Sequence, residues 1–429
     1  MTREMMIGII GFIILLVLIF LRVWIGFALI IVGFVGLWVI KDINYAGTII
    51  ASEPFTQATN YALTCMPLFV VMGAVITETG MGSSLYRAAK AWIGHMPGGL
   101  GVATVLACGV FAAICGNSQI TAMTIGRISF PEMQKAGYAD TIAVGGIGAG
   151  GGIGIMIPPS VGFIVYGMLT EQSIGKLFMA GIVPGLLLIV LYSLVYIVVA
   201  IVKPNLAPRG EKADWHEKWA SLKGIWAVLV LIILMLGGIY GGICTATEAG
   251  AIGAIGSIII AAATKQLKLR TLYTSLVDGA RMTATVMILL IGAKVFLRFI
   301  TVTGLAGALT DYIVNLEVSR YLILFGVWVL YFIVGAAFDI MAGIMLTVPF
   351  LYPIMVDLGF HPIWFGVFVV AMMELGEITP PIGLSCFILS DVCKMPVTRV
   401  FKGVLPFIGM AFLFDLIICI FPQITLLMQ

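Results

Sequence analysis

Apolar residues run through this chain in long blocks separated by short polar loops. Blocks that approach the roughly 20 residues of a membrane crossing lie at 5–21, 24–40, 60–78, 140–168 and 178–201. They return at 225–243, 245–264, 282–300, 362–390 and 403–427, each about 222 residues after its partner. Two further stretches, Gly98–Pro131 and Arg320–Pro353, are too short for two crossings and a turn, which need about 40 residues. Each is interrupted near its middle, by Cys115-Gly116-Asn117-Ser118-Gln119 and by Gly335-Ala336-Ala337-Phe338-Asp339. They read as re-entrant helical hairpins with tips near the midplane rather than as single kinked spans. The pattern predicts an all-α polytopic membrane protein of two repeats, 1–210 and 224–429, with a polar cytoplasmic linker at 203–223. Each repeat holds five transmembrane helices and one re-entrant hairpin.

Residue identities support the same register. Ile76-Thr77-x-Thr79-Gly80 recurs as Ile300-Thr301-x-Thr303-Gly304, while Pro131, Gly137, Gly154 and Pro158-Pro159 recur as Pro353, Gly359, Gly376 and Pro380-Pro381. Asn117 falls on Asp339. Five is odd, so the second repeat enters the membrane from the opposite side and the repeats are inverted. Lysine and arginine gather in cytoplasmic loops. With these spans, Arg87/Lys90, Lys203–Lys223, Lys265–Arg281 and Lys394–Lys402 share one side, leaving both termini on the outer side. The amphipathic segment Lys265–Arg281 is expected to lie along the interface.

Of the 429 residues, 61% are hydrophobic and only 10% charged, against roughly a quarter charged in soluble domains. That excludes a globular enzyme on an anchor. The net charge of +3 is spread over loops and implies no nucleic-acid partner. The seven cysteines form no CxxC or Cys/His cluster and read as small apolar side chains. Ile7–Leu21 follows both Arg3 and Glu4 with no A-x-A site, so a retained first span is expected. The three histidines fall in loops or at span ends, and no HExxH, GxSxG or Walker motif stands in a convincing context, so no catalytic residues are assigned.

The proline pairs interrupt apolar segments, and a proline removes a backbone donor. In hydrocarbon, freed backbone groups must face protein, water or a ligand. Two broken helices at matching places in a duplicated chain mark the binding site of a secondary transporter. Gly145, Gly146, Gly148, Gly150, Gly151, Gly152 and Gly154 precede Pro158-Pro159. Alone such a run reads as tight helix packing; before a repeated Pro-Pro break it reads as a close approach to ligand. One tip carries Asn117, Ser118, Gln119 and Thr121, the other Asp339. An acid in an apolar stretch is a functional candidate. Lys294 or Arg298 could pair with Asp339, and Arg298 could equally meet an anionic substrate or sit at the interface. Glu374 and Glu377, beside Gly376, are candidate ion ligands, proton carriers or solvated groups at a cavity.

FAAICGNSQITAMTIGRISFPEMQKAGY followed by GGIGIMIPPSVGFIVYG resembles the large membrane subunit of tripartite ATP-independent periplasmic (TRAP) transporters. GICTATEAGAIGA, FDIMAGIMLTVPFLYPI and ELGEITPPIGLSCF fit the second half of that family, so the resemblance covers nearly the whole chain. It implies an elevator-type fold of the ion-transporter superfamily and Na+-coupled uptake of a small organic acid, a carboxylate or a sulfonate, across the bacterial inner membrane. It implies no cofactor beyond Na+ as coupling ion. The implied partners are a small membrane subunit of about four spans, a periplasmic substrate-binding protein, the organic acid and membrane lipid. By position, the resemblance implies one Na+ site at Gly116, Asn117, Gly152 and Gly154, and a second at Gly335, Asp339, Gly376 and Thr379. Substrate would lie near Ser118, Gln119 and Ser160, with Arg298 a further candidate. A stand-alone divalent-anion symporter of similar fold is the alternative. A channel, the reading from a different class, needs a continuous polar pore where the sequence has only polar islands.

Overall fold

The computed structural model describes residues 2–314 and 318–428, and every regular element among them is helical. In chain order the helices are α1 (Arg3–Phe20), α2 (Ile25–Ile40), α3 (Ile43–Ala58), α4 (Cys65–Glu78), α5 (Met81–Ile93), α6 (Gly99–Cys115), α7 (Ser118–Lys135), α8 (Asp140–Met156), α9 (Val161–Thr170) and α10 (Ile174–Val202). The second half supplies α11 (Trp215–Lys223), α12 (Trp226–Tyr240), α13 (Ala246–Ala263), α14 (Leu269–Thr303), α15 (Leu305–Val314), α16 (Arg320–Ala337), α17 (Ile340–Asp357), α18 (Pro362–Ile378), α19 (Leu384–Val392), α20 (Val397–Ile420) and α21 (Gln423–Leu426). Among the described residues nine helical segments are long and apolar enough to cross a membrane, ten if α11 and α12, bent by 54°, form one span. That total includes both arms of the second hairpin, while α2 and α6 fall just short in length.

The elements repeat in order. α6–α7 and α16–α17 are the two hairpins, and α8–α9 and α18–α19 the two broken helices; α8 and α18 begin and end 222 residues apart. The repeated Ile-Thr-x-Thr-Gly motif has a structural cause. Gly80 and Gly304 take left-handed φ values of +71° and +68°, which a glycine adopts without a Cβ penalty. Each ends a helix and turns the chain into a short helix, α5 or α15, ahead of a hairpin.

One pair of counterparts differs. In the first repeat α3, a 3-10 turn at Tyr61–Thr64 and α4 occupy the place that α14 fills alone in the second. Asn60 stops the first version, its side chain accepting from Ala62 N at 3.0 Å. No proline interrupts Leu269–Thr303, and it runs as one helix of 35 residues, about 50 Å long at 1.5 Å per residue. From Leu269 on, the segment expected along the interface at Lys265–Arg281 is continuous with this helix. The linker likewise holds a helix, α11, whose Trp215 and Trp219 rings pack edge-on against Trp92 at 6.4 and 6.1 Å.

Two kinds of packing separate the outer helices from the centre. α14 lies against α1 and α2 through small residues, which let membrane helices approach closely. The Phe299 ring occupies the space where Cβ atoms on Gly11 and Gly36 would stand, and the Phe296 backbone N lies 2.9 Å from the Cβ position of Gly33. At the centre, α8 and α18 are buried along almost their whole length. A spanning helix enclosed on all sides by protein sits inside a domain, not at its lipid face.

The glycine run in α8 explains that enclosure. Added Cβ atoms would meet Gly403 of α20 from Gly145, Tyr196 of α10 from Gly146, Leu389 of α19 from Gly148 and Cys108 of α6 from Gly150. From Gly151 and Gly154 they would meet α7 and its cap, and from Gly152 they would meet Glu374 of α18. All seven glycines are thus used for close packing against other helices, and the expected approach to ligand is not needed to explain the run.

Candidate functional site

Each hairpin tip is built the same way. Asn117 caps α7, its Oδ1 accepting from Ile120 N at 3.0 Å, and Asp339 caps α17, its Oδ1 accepting from Ala342 N at 2.8 Å. A side-chain oxygen at this position satisfies one of the amides a helix N-terminus leaves free. The two residues that match across the repeat therefore share a local task, and each tip ends on a helix N-terminus with its partial positive charge.

Each tip is seated on a helix break. At the first, Gly116 has φ +62°, its carbonyl accepts from Val161 N at 3.3 Å, and the Pro159 carbonyl presses on it where a Cβ would stand. The Asn117 carbonyl accepts from Thr121 Oγ1 at 2.7 Å and lies 2.9 Å from the Cβ position of Gly154. At the second, Gly376 abuts the backbone of Gly335 and Ala336 with no room for a side chain. The Pro158–Pro159 and Pro380–Pro381 peptide bonds are both cis.

Of the remaining candidates, Ser160 is fully buried and caps α9, accepting from Phe163 N at 3.3 Å. Thr379 turns its hydroxyl back to the Leu375 carbonyl. The Cβ direction of Gly152 points to Glu374 rather than to the first tip. Arg298 is not brought to the tips. It lies on α14 with Nε 3.9 Å from Glu53 of α3, an exposed guanidinium against a buried carboxylate, which also leaves it unavailable to Asp339. Among the described residues, Asp339, Glu374, Glu377 and Asp415 form no ion pair.

Two arrangements connect parts of the chain that the sequence does not link. Glu377 reaches across to the first tip, where its Oε2 accepts from Ser118 Oγ at 2.7 Å and its Oε1 from Gln119 Nε2 at 2.9 Å. Nearby, Tyr192 donates to Glu374 Oε1 at 3.4 Å, while Glu374 Oε2 and both carboxylate oxygens of Asp415 are buried without a hydrogen-bond partner. Asp415 had a signal in the sequence: it is an acid inside the apolar run 403–427, the same criterion that singles out Asp339. Tyr192 had none.

Residues 12–424 match the family described as the tripartite ATP-independent periplasmic transporter, DctM component. The chain belongs to this family. It is thus a large permease subunit of TRAP transporter type and a multi-pass membrane protein. The chain is 34% identical over 379 residues to the C4-dicarboxylate TRAP transporter large permease protein DctM of Pseudomonas aeruginosa, covering 88% of each. It is 33% identical to the isethionate TRAP transporter permease protein DctMQ of Oleidesulfovibrio alaskensis, over 91% of this chain and 62% of that one. The fold of this TRAP subunit is similar to the crystal structure of the Alcanivorax borkumensis YdaH transporter, with a TM-score of 0.64 over 89% of both chains at 15% identity.

Proposed function

We propose that this TRAP permease subunit imports a small organic acid, handed over by a periplasmic binding protein, and draws on the inward Na+ gradient to do so. A small membrane subunit of about four spans stands beside it in the inner membrane, and both termini lie on the outer face. The hairpins and broken helices move together as a carrier against the outer helices in an elevator cycle. The observation that carries this reading is the paired seating of each tip on its own break, Asn117 on Gly154 and Gly335 on Gly376. Each seat gathers backbone carbonyls, one side-chain oxygen from Asn117 or Asp339 and a helix N-terminus. Oxygen donors suit a hard cation, and helix N-termini suit the acid group.

The relatives named above are associated with a C4-dicarboxylate and with isethionate, both small organic acids. The test is uptake by proteoliposomes holding both membrane subunits, with the loaded binding protein outside. Replacing external Na+ by K+, or omitting the binding protein, is expected to lower initial uptake at least about tenfold, equivalent to about 1.4 kcal/mol of lost driving interaction. Uptake unchanged by both manipulations would refute the assignment.

A further inference from the structure

We propose that Glu377 selects the substrate, and that the site takes an acid that also carries a cationic nitrogen. This rests on the transport reading above and names the substrate class for that same site.

The first tip already has its side-chain donors engaged. Ser118 and Gln119, the first two residues of α7, are the donors an incoming anion would be expected to use. Both are engaged by a carboxylate of the protein itself, at 2.7 and 2.9 Å. Glu377 is almost fully buried, and among the described residues no lysine, arginine or histidine pairs with it. Two neutral donors orient the carboxylate but supply no countercharge, which a buried carboxylate needs in order to ionise. A second carboxylate or a sulfonate brought against these residues finds both donors taken and adds a like charge beside a buried carboxyl group, which disfavours it. An ammonium or amidinium group brought there supplies that countercharge and gains a charge-assisted hydrogen bond.

The repeat argues that this carboxylate is not part of the scaffold. The counterpart of Glu377 in α8 is Ile155, and the counterparts of Ser118 and Gln119 in α17 are Ile340 and Met341. All three positions are apolar in the other half, where the same helices pack without them. The polar trio is therefore an addition at one tip only. The neighbouring N-terminus of α7, capped by Asn117, remains for the acid group of the same molecule. One end of the site is prepared for a negative group and the other, at Glu377, for a positive one.

The test uses the complete complex in proteoliposomes with its binding protein and a fixed panel. Succinate and isethionate carry no cationic nitrogen; L-aspartate, 4-aminobutyrate and β-alanine do, each with N–H groups to donate. Binding-protein thermal shifts and wild-type uptake are expected to select a nitrogen-bearing member. Glu377→Gln, the same shape without the charge, is expected to raise its KM about tenfold or more. Na+ activation and complex melting temperature should stay at wild-type values, and Glu377→Asp should recover part of the loss. Transport of succinate or isethionate but of no nitrogen-bearing acid overturns the proposal, as does transport of none of the panel. A KM within twofold of wild type in Glu377→Gln overturns it as well. So does a Glu377→Gln variant that changes Na+ activation at constant KM, which would make Glu377 an ion ligand. Should Glu377→Gln fail to fold, Glu377→Asp and the wild-type panel decide alone. Wild-type uptake that ignores Na+ and the binding protein contradicts the transport reading instead, so the two failures are told apart.

Discussion

Gly376→Ala is expected to reduce uptake at least tenfold while the protein still reaches the membrane. The added methyl would lie 2.6 Å from Ala336 N and closer still to Gly335 backbone atoms. A backbone cannot swing aside as a side chain does, so the second tip must lift off its break. Overpacking of this kind costs about 1–3 kcal/mol, and here it falls on the contact that shapes the site. Gly343→Ala is the matched comparison. Its methyl would also collide, but with the terminal carbon of Met373, a flexible side chain that can repack. Uptake within about threefold of wild type is expected there, since volume changes that a flexible neighbour absorbs cost little. Initial uptake rates normalised to purified complex check both. Equal losses in the two variants would mean that glycine at 376 serves general packing rather than the tip.

Asp339→Asn is expected to weaken apparent Na+ affinity about tenfold, or ~1.4 kcal/mol, with little change in melting temperature. The amide keeps an oxygen for the cap on Ala342 N and removes only the charge. Asp339→Ala removes both, and loss of a cap costs about 0.5–2 kcal/mol, so it should melt lower as well as bind Na+ less well. At the first tip the pair is reversed. Asn117→Asp keeps the cap and adds a charge, whereas Asn117→Ala loses the cap. Na+ titrations of uptake, read beside melting curves, separate the two roles. If Asp339→Asn titrates like wild type while Asp339→Ala does not, Asp339 acts as a helix cap alone.

Much of the fold was legible because hydropathy and helix breakers report directly on membrane geometry. The interruptions at Cys115–Gln119 and Gly335–Asp339 and the two Pro-Pro pairs fall where helices end. α5 and α15 were less visible, since neither is long enough to cross a membrane. The continuity of α14 was hidden as well, because polar residues at its start look the same in a separate interfacial helix and at the end of a long one. The site was legible as two tips and two breaks, but not in its cross-connections. Asn117 and Asp339 could be found because they interrupt apolar stretches. The bond from Glu377 to Ser118, between residues 259 apart in the chain, leaves no local pattern. The α8 glycines show a related limit: a missing side chain marks a close approach without saying by what.

The central claim is that the hairpins and broken helices move as a unit past the outer helices, and one cross-link tests it most directly. Gly73 of α4 faces the first tip, its Cβ position 3.1 Å from Cys115 Cα and 3.5 Å from Cys115 Sγ. A cysteine at 73 would thus stand directly against Cys115, within reach of its sulfur for a disulfide. Gly73→Cys against native Cys115, with the other cysteines replaced by alanine, joins the outer helices to the tip. Oxidation is predicted to abolish uptake in proteoliposomes, and a reductant to restore it. Cross-linked complex that transports at the rate of the reduced protein would contradict a moving carrier.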